Sequence, residues 1–100
     1  MRVRFFAYIR DFTGCLEADI PYQETVGDLA RSLCELYGDK LRRKIFPAGE
    51  TGGKKKGAEL KFGPEIIFLI NGRHVDHLGG INAPLKPDDR VDVFPVVAGG

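Results

Sequence analysis

Tryptophan is absent, methionine occurs once, cysteine occurs twice, and no apolar run exceeds five residues. Each shortage excludes a class. Two cysteines cannot staple a small secreted scaffold, which at this size carries several disulfides. Runs such as Phe5-Phe6-Ala7-Tyr8-Ile9, bracketed by arginines, fall far short of a signal-peptide core or of a membrane span of roughly 20 residues. No sign of charge dominates. The 15 basic and 14 acidic side chains leave a formal net charge of +1, too weak a field to argue for nucleic acid or an anionic membrane. The expected compartment is therefore the cytoplasm.

Catalytic constellations are missing as well. Cys15 and Cys34 have no CxxC pairing, and neither has a histidine or basic cluster nearby to turn it into a nucleophile. They are expected as reduced thiols, one on a strand and one on a helix. His74 and His77 flank Asp76 across a turn without a third ligand or a regular element to fix them, so they read as surface histidines and no metal is expected. The stretch Gly49-Glu50-Thr51-Gly52-Gly53-Lys54-Lys55-Lys56 superficially suggests a phosphate loop. It lacks the spacing, the hydroxyl residue after lysine and the preceding strand, so the chain is expected to bind no nucleotide, and Lys54–Lys56 read as a solvated loop. No Ser/His/Asp set and no isolated carboxylate pair is present.

What is present suits one folded domain over residues 1–100. Apolar residues make up 43% and charged residues 29%, enough for a single core but not for a core plus a built-in catalytic cleft. Residues 3–10 alternate with period two: Val3, Phe5, Ala7 and Ile9 point one way, Arg4, Phe6, Tyr8 and Arg10 the other, which predicts a strand. Residues 15–20 can return as a second strand to make an N-terminal hairpin. Val26, Leu29, Ala30, Leu33, Leu36 and Tyr37 recur at helical spacing, with Thr25 placed to cap and Gly38 to stop the helix. A second short helix is predicted from Asp39 to about Phe46. Glycines, prolines and lysines over 47–64 have the composition of a mobile loop.

Ile66–Ile70 reads as a central strand buried on both faces, and Asn71-Gly72 as a tight hairpin returning through Arg73–Val75. Leu78 to Pro87 is turn-rich. Arg90 to Pro95 alternates again, Val91 and Val93 opposite Asp92 and Phe94. The predicted class is α+β, a sheet of four or five strands packed by one main helix.

The final strand runs without a linker into residues 96–100, Val96-Val97-Ala98-Gly99-Gly100. Fully extended, these residues reach roughly 17 Å, far enough to enter a partner's active site. Glycine has no Cβ, so a terminal carboxylate on Gly99-Gly100 could pass a narrow channel. Two terminal glycines can equally be an uninformative end.

Four segments together resemble the MoaD/ThiS sulfur carriers, and most of all the small subunit of molybdopterin synthase. They are Arg4–Arg10 with Thr13-Gly14, Leu69-Ile70-Asn71-Gly72-Arg73, Pro84–Asp89, and Val93 through Gly100. The resemblance spans residue 3 to the end. It implies a ubiquitin-like β-grasp fold with a flexible Gly-Gly tail. It also implies that the chain is a carrier substrate rather than a catalyst, reacting at the Gly100 carboxylate with Gly99 beside it.

A ubiquitin-activating-like adenylyltransferase of the MoeB/ThiF type would use ATP and Mg to adenylate Gly100. A sulfur donor protein would then supply the thiocarboxylate, and a MoaE-type large subunit would receive the tail for molybdopterin synthesis. No cofactor would be bound by the chain itself. Phe94, Val96, Val97 and Ala98, with Phe6 and Tyr8 on the exposed face, would dock partners; alternatively these aromatics simply cover the helix. One stretch departs from the pattern: residues 39–61 are longer and more basic than in compact bacterial carriers. Related carriers serve thiamin, cysteine, tungsten-cofactor or tRNA thiolation pathways, and some modify proteins in archaea. A plain β-grasp interaction module is the reading from a different class.

Overall fold

The computed structural model describes residues 1–47 and 61–96, and its longest helix starts at the threonine expected to cap it. In α2 (Val26–Tyr37) the Thr25 hydroxyl accepts the Asp28 N–H at 3.2 Å, satisfying one of the donors that a helix start leaves open. The apolar stripe of α2 goes inward with Val26, Leu29, Ala30 and Leu33 fully buried, but it fades in the last turn, where Tyr37 is half-buried and Leu36, expected on the stripe, is exposed. Gly38, at φ 90°, breaks the helix, and α3 (Asp39–Ile45) follows at once, burying Leu41 and Ile45.

Five strands, β1 (Arg2–Phe5), β2 (Glu17–Asp19), β3 (Ile66–Ile70), β4 (Arg73–His74) and β5 (Arg90–Pro95), form one sheet in the order β2-β1-β5-β3-β4. The neighbours β1 and β5 run parallel and the other pairs antiparallel. Val3 and Phe5, Val91 and Val93, and Ile66, Phe68 and Ile70 face the helices and complete the core. No helix among the described residues is long and apolar enough to cross a membrane.

Four expectations are corrected. The first strand ends at Phe5 rather than running to residue 10. Ala7 turns the chain at φ 50°, and a short helix α1 (Ile9–Thr13) carries Ile9 into the core. Val3, Phe5 and Ile9 all end buried, while Ala7, expected on the same face, is exposed at the turn. β1 and β2 pair antiparallel, as the expected N-terminal hairpin requires, but a helix makes the link between them, and Cys15 lies at a bend before β2 rather than on a strand.

Second, β3 is not central. β5 holds that place, while β3 buries Ile66, Phe68 and Ile70 and leaves Ile67 and Leu69 half-buried on the opposite face. Third, the Asn71-Gly72 turn has both residues at positive φ, as a type I′ hairpin needs. Its return strand nevertheless stops at His74, and Val75 opens a 3₁₀ turn.

The fourth correction concerns the expected loop over 47–64, most of which, Lys54–Lys56 included, lies outside the described residues. Its last part is anchored. Phe62 lies 5.7 Å from Phe46 and 4.4 Å from Phe68 between ring centroids, and the Gly63 N–H donates to the Ile45 carbonyl at 2.7 Å. Only glycine fits there, because a Cβ on Gly63 would stand 2.4 Å from the Lys44 carbonyl oxygen and 2.8 Å from the Pro47 ring. Gly63→Ala is expected to cost about 1–3 kcal/mol, the usual range for overpacking. The drop would be read as a lower urea midpoint at unchanged slope; an unchanged midpoint would reject the close approach.

Candidate functional site

The sheet face turned away from the helices carries two cross-strand rows. In one, the register Leu69↔Asp92 and Arg4↔Asp92 sets Arg4, Asp92 and Leu69 side by side. Arg4 donates through Nε and Nη2 to the two carboxylate oxygens of Asp92 at 2.7 and 2.9 Å, and Arg90 approaches the same carboxylate at 3.6 Å. Asp92 is only 3% exposed although it sits on the open face, because the two arginines lie over it. The hydrogen bond to Asp92 is the main cause holding the Arg4 guanidinium above its ordinary pKa.

The second row, nearer the end of β5, is Phe6, Phe94 and Ile67. Phe6 and Phe94 stack at 4.1 Å between centroids with their planes 10° apart, and Ile67 pairs with Phe94 in the ladder. The Phe6 N–H donates to the Val93 carbonyl at 3.0 Å, extending the β1–β5 pairing by one step and setting the ring against its partner. Arg4 links the two rows, its guanidinium carbon 5.3 Å from the Phe6 centroid. The result is a fixed apolar shelf with a pinned cation behind it, at the point where β5 ends.

Val96 leaves from this shelf. Its N–H donates to the Glu65 carbonyl at 2.8 Å and the residue is 36% exposed. Phe6, Phe94 and Val96 are thus brought to one end of the sheet. Tyr8 does not join the Phe6–Phe94 stack. The turn at Ala7 carries it away from the open face, to lie half-buried against the core, edge-on to Phe12 and beneath Lys44 of α3. The expectation of one exposed face shared by Phe6 and Tyr8 is corrected accordingly. Val97, Ala98, Gly99 and Gly100 lie outside the described residues.

Several titratable groups elsewhere in the described residues have structural partners. Cys34 is fully buried on α2, and the Cys15 thiol lies 3.8 Å from the Tyr37 hydroxyl. Burial, and after it the contact with Cys15, pushes the Tyr37 hydroxyl up to about 12. His74 Nδ1 accepts the Asp76 N–H at 3.0 Å, which fixes the ring as the cap of the 3₁₀ turn. Among the described residues no group of three or more His, Cys, Asp or Glu could hold a metal ion.

Sequence reasoning missed the Arg4–Asp92 clamp and the Glu65–Val96 anchor. The alternation of β5 put Asp92 on the outer face, but only the parallel register shows that Arg4 lies over it.

The ThiS family profile matches residues 3–100. Small archaeal modifier protein 3 of Haloferax volcanii is 36% identical over 102 residues, covering 100% of this chain and 98% of that protein. The solution structure of small archaeal modifier protein 1 from Methanosarcina acetivorans superposes with a TM-score of 0.79 at 33% identity, covering 99% of this chain and 94% of that one. A chain of the BexX/CysO complex of Amycolatopsis orientalis shares the fold at 22% identity and a TM-score of 0.74, covering 99% and 98%.

Proposed function

The chain belongs to the ThiS family of ubiquitin-like β-grasp sulfur carriers and modifiers, and from that premise we propose that it carries sulfur on the carboxylate of Gly100. The observation that carries this reading is the family match, which runs through the Gly-Gly pair to residue 100 and includes the strand that ends at the shelf. An ionised carboxylate is a poor acyl donor because it has no leaving group. Attack of a Gly100 oxygen on the α-phosphorus of ATP, with departure of pyrophosphate, supplies one. A sulfide-level nucleophile then adds to the acyl carbon, AMP leaves, and a thiocarboxylate remains.

Every one of these steps belongs to partners: an adenylyltransferase of the MoeB/ThiF type that uses ATP and Mg, and a sulfur donor protein. The domain's own contribution is presentation. Phe6, Phe94 and Val96 give a partner a desolvated contact at the tail root, and Arg4, locked to Asp92, offers a preoriented cation beside it. Within the family the first acceptor to test is the pterin precursor of molybdopterin synthesis, reached by inserting the tail into a MoaE-type large subunit. A second reading, isopeptide attachment of Gly100 to lysines of other proteins, is favoured by the relatives named as modifier proteins.

Incubation with the adenylyltransferase, ATP, Mg and a sulfide source, followed by intact-mass measurement, separates the readings. Exchange of one oxygen for sulfur at the C-terminus supports the carrier. Lysines of other proteins bearing the terminal glycines support the modifier. An unchanged chain with no adducts removes both and leaves an interaction module.

A further inference from the structure

We infer that Lys44 and Glu65 are a positioning pair that fixes the root of the tail; the inference rests on the carrier reading above. Glu65 stands just before β3 and acts twice. Its carbonyl accepts the Val96 N–H at 2.8 Å, the last backbone hydrogen bond between β5 and its antiparallel neighbour among the described residues. Its carboxylate accepts from Lys44 Nζ, in the last turn of α3. The same ammonium lies 5.6 Å from the Tyr8 centroid, so the lysine is held over an aromatic face as well as by a carboxylate. The hydrogen bond to Glu65 is the leading cause that holds the Lys44 ammonium above its ordinary pKa.

This pair closes a path that begins in the core. Gly63 is bonded to the Ile45 carbonyl and packed beneath the Lys44 carbonyl, so the segment leading to β3 is already tied to α3 two residues before Glu65. The ion pair ties it a second time at Glu65 itself. An ion pair this exposed adds little to global stability, because water screens it. Its leverage is local: the end of a strand ladder frays first, and the Glu65–Val96 bond is that end. While that bond holds, Val96 sets the direction in which the chain departs. When it opens, Val96 becomes free to rotate, and a partner must order it on binding.

Three forms of the full chain test this. Lys44→Met keeps the stem over Tyr8 without the charge, Glu65→Gln removes the carboxylate charge, and the exchange Lys44→Glu with Glu65→Lys restores opposite charges. Two quantities are read: hydrogen exchange at the Val96 amide, and KM and kcat for adenylation measured by pyrophosphate exchange. Each single variant is expected to exchange the Val96 amide about two- to fivefold faster, the factor a surface ion pair can supply. Each should raise KM with kcat nearly unchanged, at an unaltered melting temperature. The exchanged pair should recover both values. Parent-like Val96 exchange in the single variants, or failure of the exchanged pair to restore it, overturns the inference. If the parent itself is never adenylated, the carrier reading has failed, and Val96 exchange still decides whether the pair anchors the strand end.

Discussion

Deletion of Gly100 is expected to abolish adenylation and sulfur loading while leaving the melting temperature of the domain unchanged. One residue of extended chain is roughly 3.3–3.6 Å, so its loss draws the carboxyl carbon back by that distance. Reaction requires the attacking oxygen within about 3–3.5 Å of its target, so the truncated tail falls a full residue short at the α-phosphorus. The end of the sheet that anchors the tail lies at Val96, four positions upstream of the deletion, so the fold has no reason to respond. Pyrophosphate exchange and intact mass give the activity, and calorimetry gives the stability. Adenylation of the shortened chain at the parental rate would show that Gly100 is not the reacting residue.

The largest loss of stability is expected from Phe68→Ala. Phe68 is fully buried in β3, and its ring continues a run of aromatic contacts through Phe62 to Phe46 that joins the sheet, the segment returning to it and the end of α3. Truncating a buried phenylalanine costs about 3–5 kcal/mol, against a total of about 5–15 kcal/mol for a domain. The variant should melt tens of degrees lower or fail to fold at all. Phe62 would lose its support at the same time and expose the Gly63 anchor. Urea unfolding with native-state exchange at residues 61–65 tests both effects. A loss below about 1 kcal/mol would mean that the three rings do not form one structural unit.

How much of this was legible in the sequence follows from the range of each interaction. The cap at Thr25, the buried stripe of α2, the stop at Gly38 and the turn at Asn71-Gly72 are all set within a few residues, and they are found where the pattern put them. The alternation of Asp92 and Phe94 against Val91 and Val93 is local too, and it correctly assigned faces within β5. The errors came where local pattern meets tertiary choice. Ala7 and Ile9 continue the alternation of β1, yet the chain turns between them, because Ile9 reaches the same core from a helix. The apolar density of β3 suggested a central strand, but centrality is decided by pairing between distant segments, here β1 with β5. The residues of the candidate site divide the same way. Phe6, Phe94 and Val96 could be picked out by type and position. Arg4–Asp92 and Lys44–Glu65 join positions 88 and 21 residues apart and needed the fold to bring them together.

The parallel pairing of β1 with β5 has a mechanical consequence. Arg2 through Phe5 lie beside Arg90 through Val93, both strands pointing toward the tail root, so the start of β1 and the end of β5 occupy opposite poles. A force applied between those poles pulls the two strands past each other and loads the whole rung set together. The same force on an antiparallel hairpin would peel its rungs one at a time. A partner that pulls this chain by its tail while the start of β1 is held therefore loads those rungs together in shear rather than one at a time.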